Sequence, residues 1–218
     1  MLNNAIILGD SYSTFEKYVP AGQDVYYYEK GDSETDITNV RETWWYQVVK
    51  EAHLNLVLND SWSGATIGYT GYNNLDCSKS SSFIHRLHKL IEHGFFDTNE
   101  IDTVFVFGGT NDDWAMVPLG VSKYENWSND DLYFVLPAIS YFFKILKNAL
   151  SRAEIYCLIN TGLKSEISDE MKTVCEMYNI IPIEFNEIDK SYGHPTIKGM
   201  KDIAKEVLSV LKRKYNVK

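Results

Sequence analysis

The segment DKSYGHPTIKG, residues 189–199, sets a single histidine, His194, against a proline just ahead of what reads as the last helix of the chain. An imidazole in a turn beside a rigid proline suits a proton shuttle, but a shuttle needs a nucleophile to serve and a group to orient it. The nucleophile candidate lies at the other end of the chain. Ser11, in LGDSYS, follows a short apolar run, and a serine hydroxyl becomes reactive once a base within hydrogen-bond reach takes its proton. A tetrahedral intermediate would then need donors aimed at its oxyanion. The backbone N–H groups of Ser11 and Gly64 and the side-chain amide of Asn111 can supply them. Gly64 lies in NDSWSGAT and Asn111 in FGGTNDD, each directly after an apolar run. Taken singly, each residue has a plainer role: Ser11 as a cap, Gly64 as a turn glycine, Asn111 in a local Asx contact. Taken together they make a nucleophile, a base and oxyanion donors.

Such residues must be brought to one place by the elements between them. Apolar runs recur at 5–8 (AIIL), 54–58 (LNLVL), 104–107 (VFVF), 155–159 (IYCLI) and 180–183 (IIPI). Runs apolar on both faces suit strands covered on both sides, as in a parallel sheet. Helical spacing alternates with them: over 41–52, at Phe83, Ile84, Leu87, Leu90 and Ile91, over 130–150, at Ile167, Met171, Val174, Cys175 and Tyr178, and at Met200, Ile203, Ala204, Val207 and Leu211. In the 130–150 helix Pro137 either kinks the helix or marks its true start. The pattern predicts a single α/β domain over 1–218, a three-layer α/β/α sandwich on a mostly parallel five-stranded sheet. Chemistry in such sheets gathers beyond the carboxyl ends of the strands, and all four candidate residues follow strands.

Gly9-Asp10-Ser11 near the N-terminus, a glycine in the second block, Gly109-Thr110-Asn111-Asp112 and a C-terminal His-Pro resemble, in order and over almost the whole chain, the SGNH/GDSL hydrolase family. The resemblance implies a flavodoxin-like fold, a metal- and cofactor-free esterase or acylhydrolase, and Ser11, Gly64, Asn111 and His194 as the four named residues. The family usually places its triad aspartate three residues before the histidine, where this chain has Ser191. The nearest acid is Asp189, and it is taken as the third catalytic member. The alternative is a Ser11–His194 dyad helped by a backbone carbonyl.

Two insertions, at about 12–40 and 113–130, carry many aromatic residues, among them Tyr26-Tyr27-Tyr28, Trp114 and Trp127. Long loops over an active-site rim shape pockets. Tyr12, Trp62 and Trp114 are the candidate substrate contacts, and aromatic faces with polar neighbours suit a short acyl group, acetyl first, on a carbohydrate-like alcohol. The rival readings are a catalytically impaired relative that binds sugar or peptide, motivated by Ser191, and a flavodoxin-like nucleotide binder, which LGDSYST does not support for want of a glycine-rich phosphate cradle. Asp10 and Asp112 read as loop pins, and His85 and His88 as a solvated helix face rather than a zinc pair.

The composition excludes other classes. The net charge is −9 and no basic cluster tracks a phosphate backbone, so nucleic acid is not an expected partner. No stretch approaches a membrane span. Three cysteines, one of them inside IYCLI, fit reduced buried thiols, and the expected compartment is the cytoplasm.

Overall fold

The structure, a computed structural model, describes residues 3–30 and 34–215, and side chains as far as residue 212. Residues 31–33 of the first insertion lie outside the described residues. Five strands form one wholly parallel sheet: β1 (Asn4–Gly9), β2 (Asn55–Ser61), β3 (Thr103–Phe107), β4 (Glu154–Ile159) and β5 (Ile181–Glu184), in the order β2-β1-β3-β4-β5. Every apolar run that reads as a strand is one. Side chains alternate across the sheet with period two. Ile6, Leu8, Val104, Val106, Ile155 and Cys157 enter one core, and Ala5, Ile7, Phe105, Phe107, Tyr156 and Leu158 enter the other.

The first core is covered by α2 (Phe83–Glu92), α5 (Val135–Ala149) and α6 (Ser165–Tyr178). The second is covered by α1 (Trp44–Glu51) and α7 (Ile197–Tyr215), with Trp44, Trp45 and Met200 buried between helix and sheet. Two short helices, α3 (Phe95–Thr98) and α4 (Thr110–Trp114), flank β3. Pro137 marks a start rather than a kink: a 3₁₀ turn at Asp130–Tyr133 precedes α5, and Pro137 falls in the helix's first turn. N–H groups there have no intrahelical acceptor, so the one that proline lacks is not missed.

The strand order places a topological switch between β1 and β3: the chain leaves β1 for β2 on one side and returns to β3 on the other. Loops after β1 and β3 therefore part in opposite directions and leave a crevice at the carboxyl ends. Beneath this edge a buried ion pair, Arg86 Nη1 to Asp60 Oδ2 at 3.0 Å, ties α2 to β2. Arg86 Nη2 also donates to the Gly9 carbonyl at 3.1 Å. The ends of β1 and β2 are thus held to one helix.

Candidate active site

After Gly9 the chain closes into a single 3₁₀ turn, Ser11–Ser13, capped by Asp10, whose Oδ1 accepts the Tyr12 N–H at 3.0 Å. The cap fixes the direction in which the Ser11 hydroxyl leaves the turn. From the far end of the chain comes a two-stranded hairpin, β6 (Lys190–Ser191) and β7 (His194–Pro195). Its two turn residues, Tyr192 and Gly193, have φ of 47° and 81°, the left-handed pair that a tight two-residue hairpin requires. The hairpin brings His194 Nε2 to 3.0 Å from Ser11 Oγ. On the other side of the ring, Nδ1 stands 3.3 Å from the Tyr192 carbonyl oxygen. A carbonyl only accepts, so Nδ1 carries the proton and Nε2 is left to accept from the serine.

The structure does not place Asp189 beside His194. Asp189 is exposed, and its carboxylate accepts the hydroxyl hydrogen of Thr196, which in turn accepts the Gly199 N–H at 3.2 Å at the opening of α7. The reason is register: Ser191 pairs with His194 and Lys190 with Pro195, which leaves Asp189 opposite Thr196. The position opposite the histidine is Ser191, whose hydroxyl donates to the Glu34 carbonyl at 3.2 Å. Lys190, whose charge acts on the imidazole, is itself held by Asn160 Oδ1 at 3.1 Å and Thr161 Oγ1 at 2.8 Å. Burial, which the Tyr192 carbonyl opposes and Lys190 reinforces, pushes the His194 pKa down to about 4.

The imidazole is packed among aromatic rings. Tyr26 stacks on it with centroids 3.5 Å apart and planes within 9° of parallel. Trp114 meets it at 5.6 Å and Tyr12 at 5.5 Å. Of the three residues proposed from sequence to touch substrate, only Trp114 presents a broad free face, being 42% exposed. Tyr12 is fully buried, with its hydroxyl donating to the Gly193 carbonyl at 2.5 Å. Trp62 donates from Nε1 to Asp24 Oδ2 at 3.1 Å. The first insertion also grips the hairpin. The Tyr27 hydroxyl donates to the Pro195 carbonyl at 3.2 Å, and Asp36 Oδ1 accepts the Ile197 N–H at 2.8 Å.

Across the crevice, Gly64 adopts φ of +78° in the turn after β2, a conformation that a side chain would strain. Asn111, in the first turn of α4, donates from Nδ2 to the Ala65 carbonyl at 3.0 Å and accepts the Tyr72 hydroxyl on Oδ1 at 2.8 Å. These two bonds define which end of the amide is the donor. Among the described residues, no backbone acceptor meets the N–H of Ser11 or Gly64. Tyr72 has no signature in the sequence, since it reaches Asn111 from a loop 39 residues away. Asp112 accepts the Ile67 N–H at 3.0 Å and pins the same loop. Among the described residues, no group of three or more His, Cys, Asp or Glu could hold a metal ion.

A parallel sheet with this strand order, carrying a hydroxyl and an imidazole in contact at its switch point, belongs with the hydrolases that act on esters. More narrowly, the chain is a member of the GDSL-like lipase/acylhydrolase family, whose sequence model matches residues 3–211. Its structure is similar to that of a candidate GDSL-like lipase from Bacteroides ovatus, at 42% identity and a TM-score of 0.90 over 98% of this chain and 99% of that one. A second candidate GDSL-like lipase, from Bacteroides uniformis, is 39% identical with a TM-score of 0.89 over 97% and 96% of the two chains. An acetyl xylan esterase from Butyrivibrio proteoclasticus shares the fold at 17% identity and a TM-score of 0.59, over 98% of this chain and 64% of its own. No curated protein matches the chain in sequence. Among the described residues, no helix is long and apolar enough to cross a membrane.

Proposed function

We propose that the enzyme removes a short acyl group, acetyl first, from a carbohydrate-like alcohol, with Ser11 as nucleophile, His194 as base and the Ser11 N–H, Gly64 N–H and Asn111 Nδ2 as oxyanion donors. The observation that carries this reading is the 3.0 Å contact between Ser11 Oγ and His194 Nε2, with Nδ1 turned to a carbonyl. As Oγ bonds to the ester carbon, its proton passes to Nε2 and the carbonyl electron pair becomes the oxyanion. Collapse expels the alcohol oxygen, which takes the proton from Nε2. Water then repeats the sequence on the acyl-serine.

For the substrate, the support is the rim. Trp114 (42% exposed), Tyr192 (78%) and Tyr72 (39%) offer ring faces beside polar groups, a surface that suits a sugar ring stacking over a shallow opening. The fold hosts an acetyl xylan esterase in Butyrivibrio proteoclasticus. A second reading, a non-hydrolytic binding protein, is favoured by one observation: His194 Nδ1 meets the Tyr192 carbonyl where a triad would have a carboxylate.

Labelling with a fluorophosphonate, alongside turnover of acetylated xylan and of p-nitrophenyl esters of rising chain length, tests both. Rapid labelling lost in Ser11→Ala, with the acetyl ester preferred, is the expected result. A wild-type protein that neither labels nor turns over any ester would leave the binding reading standing.

A further inference from the structure

His194 has the tautomer of a general base without the partner that usually stabilises its charged form. Nδ1 faces a neutral carbonyl, and the charged side chain near the ring, Lys190, repels a second cation. Each acyl transfer nevertheless needs the imidazolium, which must form at a half-buried ring. What surrounds the ring is aromatic. The face of Tyr26 lies parallel to it at 3.5 Å, and Tyr12 and Trp114 close two further sides. An aromatic face carries the negative end of a quadrupole and attracts a cation held over it, more strongly when both are withdrawn from water.

The Tyr26 ring is also tied to both halves of the site. Its backbone N–H donates to Thr14 Oγ1 at 2.9 Å, and Thr14 Oγ1 donates to the Ser11 carbonyl at 3.0 Å. Its neighbour Tyr27 reaches the Pro195 carbonyl next to His194 at 3.2 Å. One loop therefore spans from the turn of the serine to the strand of the histidine and lays a ring on the imidazole between them.

We propose that Tyr26 is a positioning residue that does for His194 what a triad carboxylate would do, setting the plane of the ring and stabilising the imidazolium through its aromatic face. The proposal rests on the reading of Ser11 and His194 as nucleophile and base. The step it assists moves one proton from Ser11 Oγ to His194 Nε2 as the Oγ–carbon bond forms and the carbonyl oxygen takes the negative charge. Its benefit arises only once the imidazolium exists, so it acts on kcat rather than on KM.

The test uses p-nitrophenyl acetate and the full chain. Tyr26→Phe keeps the ring face and should keep kcat within about threefold. Tyr26→Leu removes it and should lower kcat about fivefold or more at unchanged KM, the size expected for one half-buried cation–aromatic contact. The decisive series replaces Tyr26 by phenylalanine carrying none, one, two or three ring fluorines, which drain the face of electron density while nearly keeping its shape. The expected result is a stepwise fall in log kcat with each fluorine, with the melting temperature nearly constant. A flat series would reduce Tyr26 to packing, and a rising one would show that the ring favours neutral imidazole; either overturns the proposal even if Tyr26→Leu fails to fold. Fluorophosphonate labelling of the wild type keeps the two readings apart. If the wild type labels and turns over while the series is flat, only the role of Tyr26 fails; if the wild type does neither, both fail.

Discussion

At His194 the desolvation of the ring outweighs the hydrogen bond on Nδ1, and the imidazole rests neutral. Its ordinary pKa of 6.5 is lowered to about 4, by burial first, with the Tyr192 carbonyl pulling it up and Lys190 pushing it down. On the proposed mechanism a neutral base takes the Ser11 proton, so activity should be lost only when acid protonates the free enzyme's imidazole. The expected acid limb of kcat/KM therefore lies near pH 4 rather than between 6 and 7. A profile of an acetyl ester across that range checks it, and a half-maximum at pH 6.5 would show that the ring is less buried, or better partnered, than the geometry indicates. Asn111 shows the same economy on the opposite wall. The Tyr72 hydroxyl at 2.8 Å and the Ala65 carbonyl at 3.0 Å hold its amide in one orientation, so in the proposed oxyanion hole it would need no reorganisation.

At the scale of the element, the β6–β7 hairpin and α7 divide labour between site and scaffold. The hairpin carries His194, and the helix begins three residues later on a cap built from Thr196 and Asp189. Asp189 sits at the foot of the hairpin, where its backbone carbonyl also accepts the Thr196 N–H at 3.1 Å. The expected outcome for Asp189→Asn is a kcat within about threefold of wild type, against the roughly 10⁴-fold loss seen when a triad carboxylate is neutralised. The cost should appear in stability instead, on the order of 1 kcal/mol, as for the weakening of other helix caps. Steady-state kinetics and a melting curve on the same sample decide it; a collapse of kcat with unchanged melting would return Asp189 to the catalytic machinery.

Over the whole molecule, the crevice imposes a pH dependence on folding through buried carboxyl groups. Asp10 is fully buried. Desolvation first, and then the nearby Asp112 carboxylate, raise its pKa from 3.8 to about 7, against the opposing Tyr12 N–H and Arg86. Asp112, buried on the same loops, is raised to about 6. A folded carboxyl that keeps its proton longer than the unfolded chain does gives stability that is fully present below about pH 4 and lost as pH rises through 7. Asn resembles the protonated form and can still accept the Tyr12 N–H. Asp10→Asn should therefore gain on the wild type as pH rises, with the difference in melting temperature growing by on the order of 5 °C between pH 5 and 8. Scanning calorimetry of the two proteins at both pH values measures that gap, and a gap independent of pH would mean that Asp10 is ionised throughout.

The amino-acid sequence by itself determined the sheet and the meeting place of the four blocks. Strand formation in AIIL, VFVF and IYCLI follows from local apolarity on both faces, and a strand's end is local too, so Ser11, Gly64 and Asn111 could be assigned to one rim before any contact was known. Pro137 shows the limit of local reasoning even for elements: its chemistry allowed a kink or a start, and only the 3₁₀ turn ahead of α5 decided between them. The partner of the histidine was beyond sequence for a stronger reason. Counting back from His194 finds Asp189 five residues away, but antiparallel pairing of Ser191 with His194 sets Asp189 against Thr196, and a hairpin's register is a property of its fold. The aromatic triplet at Tyr26 reads alike whether it lines a pocket or clasps a base. Closure of that loop across to β7, 168 residues later at the Tyr27–Pro195 bond, is what lays Tyr26 on the His194 ring. Contacts of that range are made by packing, where each ring takes the surface that the rest of the chain leaves to it, and no periodicity or spacing along the chain encodes the choice.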